Sequence, residues 1–170
     1  MSRGEAEGFG PVLYRDYPIG TLGLMDDGLG LSRVFFKQEG VEYGFMEGET
    51  PLTDQAAAEL DEYFFGKRYS FAVPLSPHGT EFQLAVWEAL RDIPYGQTRT
   101  YGEIAAAVGR PKAARAVGMA NHDNPLLIFT PCHRVVGKDG SLTGFACGLG
   151  VKRRLLELEG APVCKTGAAR

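Results

Sequence analysis

The run Thr-Pro-Cys-His-Arg-Val-Val at residues 130–136 holds the side chains of this sequence best suited to chemistry. A cysteine thiolate is a strong nucleophile, and an adjacent histidine can serve as its base or hydrogen-bond partner. Arg134 adds a positive charge that favours the thiolate form of Cys132. A single cysteine after an apolar run is more often an inert packing residue, so the run alone leaves both interpretations open.

A cysteine protease and a metal site are the first alternatives for a cysteine beside a histidine. A protease needs a distant histidine and an oxyanion hole, and neither His78 nor His122 lies in a recognisable protease setting. Cys132, Cys147 and Cys164 are an odd number without a Cys-x-x-Cys pair, which predicts reduced thiols rather than disulfides or structural zinc. We therefore expect no metal.

The segment before this run contains signals for several short helices. Residues 80–83 and 100–103 both have the Ser/Thr-x-x-Glu/Gln pattern of a capping box, which marks a helix start. Gly109 ends the second helix, and Arg110-Pro111 is predicted to begin a third that runs to about Asn121. Two short helices around a tight glycine-containing turn indicate a helix-turn-helix.

The third helix carries Lys112 and Arg115, has Arg99 and Arg110 nearby, and is otherwise rich in alanine and glycine. Small side chains allow a helix to approach another surface closely. That surface is either a neighbouring helix or a DNA groove, and the spacing alone does not separate the two.

The chain enters and leaves the Cys132 region through two further predicted elements. Residues 126–130 form an apolar run of strand length, and a last helix is predicted over about residues 149–159. Successive side chains of a strand point to opposite faces. Contact between the side chains of Cys132 and His133 therefore needs a bend at Pro131 or a bridging water.

The first 75 residues are predicted to form a separate unit. Residues 12–36 alternate polar and apolar side chains around the turn signal Asp26-Asp27-Gly28, which indicates two or three antiparallel strands, and Thr53 can cap a following helix. We predict an α+β fold. A small N-terminal antiparallel sheet with a helix occupies residues 1–75, and a mostly helical, winged-helix-like domain with the helix-turn-helix occupies residues 76–170.

Composition and charge narrow the class of protein. Of 170 residues, 44% are hydrophobic and 23% charged, which is typical of a globular protein, and no apolar run approaches the roughly 18 residues of a membrane span. The N-terminal sequence lacks the order of a signal peptide, so we expect a cytoplasmic monomer without membrane contact. The net charge of −3 conceals a split: residues 1–75 hold 6 Lys+Arg against 13 Asp+Glu, and residues 76–170 hold 12 against 8. The basic half favours contact with nucleic-acid phosphate, although two differently charged solvated surfaces would give the same split.

Ordered segments between residues 82 and 160 resemble the catalytic domain of the O6-alkylguanine-DNA alkyltransferases, also called methylated-DNA–protein-cysteine methyltransferases. The segments are Phe-Gln-x-x-Val-Trp-x-Ala-Leu (82–90), Ile-Pro-Tyr-Gly-x-Thr (93–98), Tyr-x-x-Ile-Ala (101–105), Ala-x-Arg-Ala-Val-Gly (113–118), Asn-Pro (124–125), Pro-Cys-His-Arg-Val-Val (131–136), Gly-Leu-Gly-Val-Lys (148–152) and Leu-Leu-Glu-Leu-Glu-Gly (155–160). So many segments in the same order make the resemblance specific. Residues 1–75 are similar only in style, as a short sheet with a helix.

The resemblance implies repair of alkylated double-stranded DNA by irreversible, single-turnover transfer of an alkyl group to Cys132. By family analogy His133 acts as a base through water and is held by Glu159, while Tyr101 donates a hydrogen bond or proton to guanine N3. The backbone carbonyls of Cys132 and Val135 accept hydrogen bonds from the exocyclic amine. No cofactor is implied, and O4-alkylthymine is a further candidate substrate.

The family flips the damaged nucleotide out of the duplex and fills the gap with an arginine of the recognition helix, here Arg115. Binding in the minor groove would explain the small residues of that helix, Ala120 among them. Asn124 would brace the loop beneath the pocket, and the amide of Ala146 would meet O6. The residues implied in DNA contact are Arg99, Thr100, Lys112, Ala113, Ala114 and Arg115. The residues implied in the substrate pocket are Met119, Asn124, Val135, Phe145, Ala146 and Cys147.

Two positions depart from the family pattern. Cys147 stands where relatives usually have glycine, so it narrows the pocket, places a second thiol beside Cys132, or is a tolerated small residue. Phe145 keeps an aromatic wall but lacks the hydroxyl of the tyrosine common there. The alternatives in function are a lesion sensor and a winged-helix regulator. Cys132 argues against the sensor, which lacks a reactive cysteine, and the regulator leaves the other site residues without a role.

Overall fold

The computed structural model describes residues 10–145 and 147–163 of the chain. The protein divides into two units, Met1–His78 and Gly79–Arg170. The fold is α+β, as the sequence predicts: a sheet with one helix in the first unit and mainly helices in the second. Within the described residues, no helix is both long and apolar enough to cross a membrane.

The first unit is built on an antiparallel three-stranded sheet. Strands β1 (Leu13–Tyr17), β2 (Gly20–Asp26) and β3 (Leu31–Phe36) lie in chain order, so the predicted antiparallel strands are confirmed. Helix α1 (Pro51–Phe64) contacts all three strands. Its apolar stripe contributes Leu60 to the core, which is fully buried.

Helix α1 begins one turn earlier than predicted. Thr50 is the N-cap: its hydroxyl accepts from the Thr53 amide (3.1 Å), and the Thr53 hydroxyl accepts from the Thr50 amide (2.9 Å). The prediction of Thr53 as the cap was wrong because Pro51, whose fixed φ suits the first helical turn, moves the start forward. The helix closes before Gly66, whose φ of 71° is left-handed.

The second unit is mostly helical. It contains helices α2 (Glu81–Arg91), α3 (Tyr101–Ala107), α4 (Ala114–His122) and α5 (Leu149–Leu158), with short parallel strands β4 (Arg99–Thr100) and β5 (Val135–Val136). Both predicted capping boxes are present, with Thr80 as the N-cap of α2 and Thr100 as the N-cap of α3. A short turn through Gly109 (φ 77°) joins α3 to α4, as the helix-turn-helix prediction requires.

Helix α4 starts later than predicted, at Ala114 rather than at Arg110-Pro111. Residues 110–113 close a separate turn in which the Ala113 amide donates to the Arg110 carbonyl (2.9 Å). Ala113 itself has a non-helical backbone, with φ −97° and ψ 28°. The interruption ends the helical hydrogen-bond pattern before α4, so a helix-compatible proline was not sufficient evidence for a helix start.

Residues 126–130 are buried but do not form the predicted strand. The chain turns on itself, with the Thr130 amide donating to the Leu126 carbonyl (2.9 Å). Ile128 has φ 71° and is the one non-glycine residue with positive φ in the described part of the chain. Such a conformation costs about 1–3 kcal/mol and persists where the surrounding packing enforces it. The prediction was wrong because an unbroken apolar run reports burial and not backbone direction.

The core of the second unit brings together one face of each of the first three helices with the segment around Cys132. Its buried members are Val86, Trp87, Leu90, Ile93, Ile104, Ala105, Val117, Ala120, Cys132 and Val135. The Trp87 indole donates to the Ala120 carbonyl (2.8 Å), so α2 and α4 approach closely at this point. Ala120 is 2% exposed. Its small size therefore serves helix packing, and the expectation that it allows approach to DNA was wrong.

Candidate active site

Cys132 opens a single 3₁₀ turn, Cys132–Arg134, that leads into β5. The Cys132 amide donates to the Thr130 carbonyl (2.8 Å), and the Arg134 amide donates to the Pro131 carbonyl (3.0 Å). The side chains of Cys132 and His133 are 5% and 0% exposed. The turn, which follows Pro131, supplies a bend such as the sequence offered at that proline, and it places both side chains inside the unit.

Opposing influences act on the Cys132 thiol. Burial raises the pKa of the thiol above its usual value, because the protein interior disfavours the charged form. The pKa of the thiol is lowered by groups that stabilise the thiolate: the Asn124 side chain, the Lys152 ammonium and the backbone amides of Cys132 and His133. The net shift of the pKa is upward, so the resting group is the neutral thiol and ionisation requires a base.

His133 is fully buried and is held through one ring nitrogen. Nε2 lies 2.7 Å from Glu159 Oε1, whereas Nδ1 has no hydrogen-bond partner among the described protein groups. Burial lowers the pKa of His133 below its usual value, although Glu159 acts in the opposite direction. A neutral ring that donates from Nε2 to Glu159 leaves Nδ1 as an acceptor, which is the form a general base requires.

Glu159 lies at the C-terminal end of α5 and receives hydrogen bonds from several sides. Arg134 donates to both carboxylate oxygens, Nε to Oε2 and Nη2 to Oε1, at 2.9 Å each. The Gly96 amide lies 3.4 Å from Oε2. Burial alone would raise the pKa of Glu159, but hydrogen bonds and charge from His133 and Arg134 lower it to about 2. Glu159 is therefore a buried carboxylate that orients the histidine.

The charge of Arg134 is directed at Glu159. Its remaining guanidinium nitrogen, Nη1, donates to the Ile93 carbonyl (2.7 Å), so the group is enclosed on all sides. The expectation that Arg134 favours the Cys132 thiolate was wrong in this respect. The cation that lowers the pKa of the thiol is Lys152.

The structure adds Lys152 to the site, a residue that the sequence did not predict there. Lys152 is buried, with 1% of its surface exposed. Its ammonium donates to the carbonyls of Val135 and Thr143, the latter at 3.1 Å. Burial lowers the pKa of Lys152 to about 8, and the charge of Cys132 acts in the opposite direction. The available sequence signal was a lysine within the inward stripe of the last helix, three residues before the buried Leu155.

A cavity of about 950 Å³ opens between α3, α4 and the loop that follows Leu142. It is lined by Tyr101, Ala114, Arg115, Gly118, Met119, His122, Thr143, Gly144 and Phe145. The Tyr101 hydroxyl donates to the Thr143 carbonyl (3.0 Å). The rings of Tyr101 and Phe145 also pack against the core cluster that contains Cys132. Of the residues predicted for the substrate pocket, Met119 and Phe145 line this cavity, whereas Asn124, Val135 and Cys147, like Cys132 itself, are not among its lining residues. An apolar cavity with few polar groups is suited to a flat aromatic ligand.

Asn124 joins the 126–130 turn to the nucleophile. Its Nδ2 donates to the Thr130 carbonyl (2.9 Å), and its Oδ1 accepts from the Leu126 amide (3.0 Å). The same side chain stabilises the Cys132 thiolate. Asn124 therefore lies against both the irregular turn and the sulfur atom.

The predicted DNA-contact residues of α4 lie at its start. Arg115 and Lys112 are exposed, and Ala113 and Ala114 are half-buried. Arg115 and Met119 are four residues apart, on the same side of the helix, and both line the cavity. This surface therefore combines an exposed cation with an exposed apolar side chain.

Arg99 and Thr100 are placed differently from these residues. The Arg99 guanidinium donates to the Thr98 carbonyl (2.8 Å) and the Gln97 side chain (3.1 Å), and Arg99 lines a separate cavity of about 320 Å³. The Thr100 hydroxyl accepts from the Glu103 amide as the N-cap of α3. The structure thus does not bring Arg99 into the cavity that Arg115 lines.

The loop after Thr143 carries the positions that depart from the family pattern. Ala146 lies outside the described residues. Cys147 is half-buried, and burial together with the charge of Cys132 raises its pKa to about 11. A thiol with this pKa is neutral at physiological pH and is a poor nucleophile. In the described part of the chain, no group of three or more His, Cys, Asp or Glu side chains could hold a metal ion.

Comparison with known proteins finds relatives for both units. Two family models match, the DNA binding domain of 6-O-methylguanine DNA methyltransferase over residues 81–161 and its ribonuclease-like domain over residues 13–77. A methylated-DNA–protein-cysteine methyltransferase of Methanosarcina acetivorans is 51% identical over 148 residues, which cover 85% of this chain and 94% of that protein. The constitutive one of Bacillus subtilis is 49% identical over 135 residues, covering 76% and 82%.

A solved structure agrees along most of the chain. The crystal structure of Mycobacterium tuberculosis OGT in complex with DNA has a TM-score of 0.82 at 44% identity, and the match covers 90% of this chain and 96% of that one. Identity at this level extends well beyond the cysteine motif and confirms the resemblance seen in the sequence. The chain belongs to the 6-O-methylguanine DNA methyltransferase family.

Proposed function

We propose that this chain repairs alkylated double-stranded DNA by transferring the alkyl group from O6 of guanine to Sγ of Cys132, once per molecule and without a cofactor. The observation that carries the proposal is the buried row of Cys132, His133 and Glu159, in which a nucleophile is followed by a neutral base and its orienting carboxylate. The names of the relatives and the DNA-bound M. tuberculosis structure support it.

The reaction is a displacement at the alkyl carbon. The Cys132 proton passes to Nδ1 of His133 through a water molecule, and Glu159 stabilises the resulting imidazolium. The sulfur attacks the alkyl carbon from the side opposite O6, so that the S–C bond forms as the C–O6 bond breaks. The bonding electrons pass to the guanine ring, which takes up a proton from solvent. The imidazolium of His133 returns its proton to solvent, so that in net terms the thiol proton ends on the guanine. The thioether is stable, which limits each molecule to one turnover.

The leaving group and the base edge are served by the cavity. Tyr101 turns its hydroxyl from the Thr143 carbonyl to guanine N3 and stabilises the charge that develops on the ring. The carbonyls of Cys132 and Val135 accept from the exocyclic amine. The aromatic wall formed by Phe145 covers the base and excludes water. O4-alkylthymine presents a similar alkyl-oxygen group and is a second candidate substrate.

The target carbon lies inside the duplex, so the nucleotide must be flipped out. Arg115 is exposed at the mouth of the cavity and is the residue we assign to the gap left in the base stack. Lys112 and the first residues of α4 contact the backbone of the duplex. The protein acts as a monomer in this proposal, because every residue with an assigned role lies in the second unit of a single chain.

The proposal is tested by incubating the protein with duplex DNA that contains O6-methylguanine and measuring its intact mass. We expect a mass gain equal to one methyl group replacing one hydrogen, mapped by peptide analysis to Cys132 and absent in Cys132→Ser. Cys147→Ser is the matched control and should keep the transfer, since the base and its carboxylate, His133 and Glu159, are assigned to Cys132. Transfer to Cys147, or no transfer by the unaltered protein, would contradict the assignment.

A further inference from the structure

Lys152 is buried at the point where three parts of the candidate site meet. Its ammonium donates to the Val135 carbonyl on one side and to the Thr143 carbonyl on the other. It also lies 6.0 Å from the ring centroid of Tyr101 and 5.8 Å from that of Phe145. The lysine therefore links the segment that carries the nucleophile with the loop and the rings that line the cavity.

A buried ammonium is costly unless polar groups replace its water shell. A shorter apolar side chain at this position of α5 would fill part of the space without that cost, as Leu155 and Leu156 do on the same stripe. The groups in contact with the Lys152 ammonium must therefore replace the hydrogen bonds that it made to water. Carbonyl oxygens and aromatic faces are both suitable partners for a cation.

Each of the two carbonyls also serves a group that would touch the base. The Thr143 carbonyl accepts from the Tyr101 hydroxyl (3.0 Å) as well as from Lys152 (3.1 Å). A carbonyl oxygen has two lone pairs, so Lys152 occupies one on each oxygen and leaves the second available. At Val135 the proposed function assigns the second lone pair to the exocyclic amine of guanine. At Thr143 it holds the tyrosine until the base arrives.

We propose that Lys152 is a positioning residue for the guanine edge: it fixes the Val135 carbonyl that accepts from the exocyclic amine, and it keeps the Thr143 carbonyl satisfied when Tyr101 turns to guanine N3. The inference rests on the proposed function, because it assigns Val135 and Tyr101 to the base. With Lys152 in place, the Thr143 carbonyl keeps a hydrogen bond within the protein when the tyrosine turns away. Without it, that carbonyl would have to take a water molecule as its partner at each turn of the tyrosine.

The electrostatics of the site agree with this arrangement. The ammonium of Lys152 lowers the pKa of the Cys132 thiol and of His133, and the charge of Cys132 raises the pKa of Lys152. The lysine thus also favours the thiolate when the base has removed the proton. This contribution is shared by every substrate, whereas the contact with the Val135 carbonyl distinguishes bases that carry the amine.

The test compares two substrates that differ only in that amine. Transfer rates are measured on duplexes that contain O6-methylguanine or O6-methylhypoxanthine, for the unaltered protein, Lys152→Met and Lys152→Arg, with Arg154→Met as an exposed control on the same helix. We expect Lys152→Met to slow transfer from O6-methylguanine about tenfold to a hundredfold, the range for loss of hydrogen bonds to a charged group. The preference for guanine over hypoxanthine should shrink in Lys152→Met and persist in Lys152→Arg.

A double-variant cycle with Tyr101→Phe tests the second half of the proposal. If Lys152 acts through the carbonyl it shares with the tyrosine, Lys152→Met slows the Tyr101→Phe protein less than it slows the unaltered one. Multiplication of the two separate effects, or an equal loss on both substrates, would overturn the positioning role. Should Lys152→Met fail to fold, as judged by its melting curve, Lys152→Gln carries the same comparison. Absence of transfer by the unaltered protein would instead overturn the proposed function.

Discussion

At the scale of single residues, the site separates its charges by burial and pairing. Glu159 is a carboxylate shared by His133 and Arg134, and it is 6% exposed. Burial keeps His133 neutral and the bond to Glu159 orients it, while the nearby thiol remains protonated until the histidine acts. Lys152 is the cation whose charge lowers the pKa of the Cys132 thiol. The order of these groups, and not a permanently ionised cysteine, is what the proposed reaction requires.

The Glu159 carboxylate makes the stability of the protein sensitive to acid. The folded-state pKa of about 2 lies below the ordinary value of 4.5, so the unfolded chain binds more protons as the pH falls between these values. The contribution is complete above about pH 4.5 and is lost as the pH approaches 2, on the order of 3 kcal/mol in total. The pKa of His133 is also lowered, which adds a loss that begins below its usual range near 6.5.

Urea unfolding at a series of pH values from 6 to about 3 measures this loss. Glu159→Gln should be less stable than the unaltered protein at pH 6, because Arg134 loses its buried partner. It should also show the shallower decline with acid. Equal slopes for the two proteins would show that other groups control the acid sensitivity.

At the scale of elements, helix starts place the site residues. Tyr101 is the first residue of α3, immediately after the N-cap Thr100, whose hydroxyl accepts from the Glu103 amide (3.1 Å). The capping box therefore determines where the tyrosine ring leaves the backbone. Helix α2 has the same box at Thr80, with the same 3.1 Å contact, but its first residue, Glu81, has no part in the site.

Thr100→Ala and Thr80→Ala form a matched pair. Each removes a side-chain cap, so each should lower the free energy of unfolding by about 1 kcal/mol. Only Thr100→Ala should slow alkyl transfer, by about tenfold or more, because a small displacement of a catalytic hydroxyl is costly. Unfolding curves and single-turnover rates measure the two effects. A similar loss of rate in both variants would mean that general loosening of the unit, and not the tyrosine, is responsible.

At the scale of the whole molecule, the basic residues are concentrated where the DNA would be bound. The second unit holds 12 Lys+Arg against 8 Asp+Glu, although the chain as a whole has a net charge of −3. Attraction to phosphate acts over about 8–10 Å at physiological salt, so the local excess matters more than the total. The exposed Arg115 and Lys112 belong to this excess.

The assignment of Arg115 to base flipping predicts a difference between duplex and free base. Arg115→Ala should slow transfer from O6-methylguanine in duplex DNA by about tenfold to a hundredfold, because unstacking a base costs a few kcal/mol. Transfer from the free base needs no flipping and should change much less. Arg91→Ala, which removes an exposed arginine at the end of α2, is the control and should leave both rates near the original. Equal losses on duplex and free base would contradict the flipping role.

Local signals in the sequence were sufficient for much of the framework. The capping boxes at Thr80 and Thr100 depend on residues three positions apart, and the sheet of residues 12–36 depends on alternation and a turn. Such signals act within a few residues, so they do not need the rest of the fold. The family resemblance added the roles of the cysteine, histidine and glutamate, which remain proposals for the experiments above.

The sequence by itself determined the α+β class, the starts of α2 and α3 at their capping boxes, and the family. Only the tertiary structure decided which groups the two buried cations contact. Arg134 pairs with Glu159, 25 residues away in the chain, and Lys152 donates to the Val135 carbonyl, 17 residues away. It also decided that residues 126–130 form a turn, with Ile128 at a positive φ. These features depend on packing between distant parts of the chain and on the hydrogen-bond partners that each charged side chain finds once it is buried. An unbroken apolar run, or a lysine in an apolar stripe, predicts burial but not its partners.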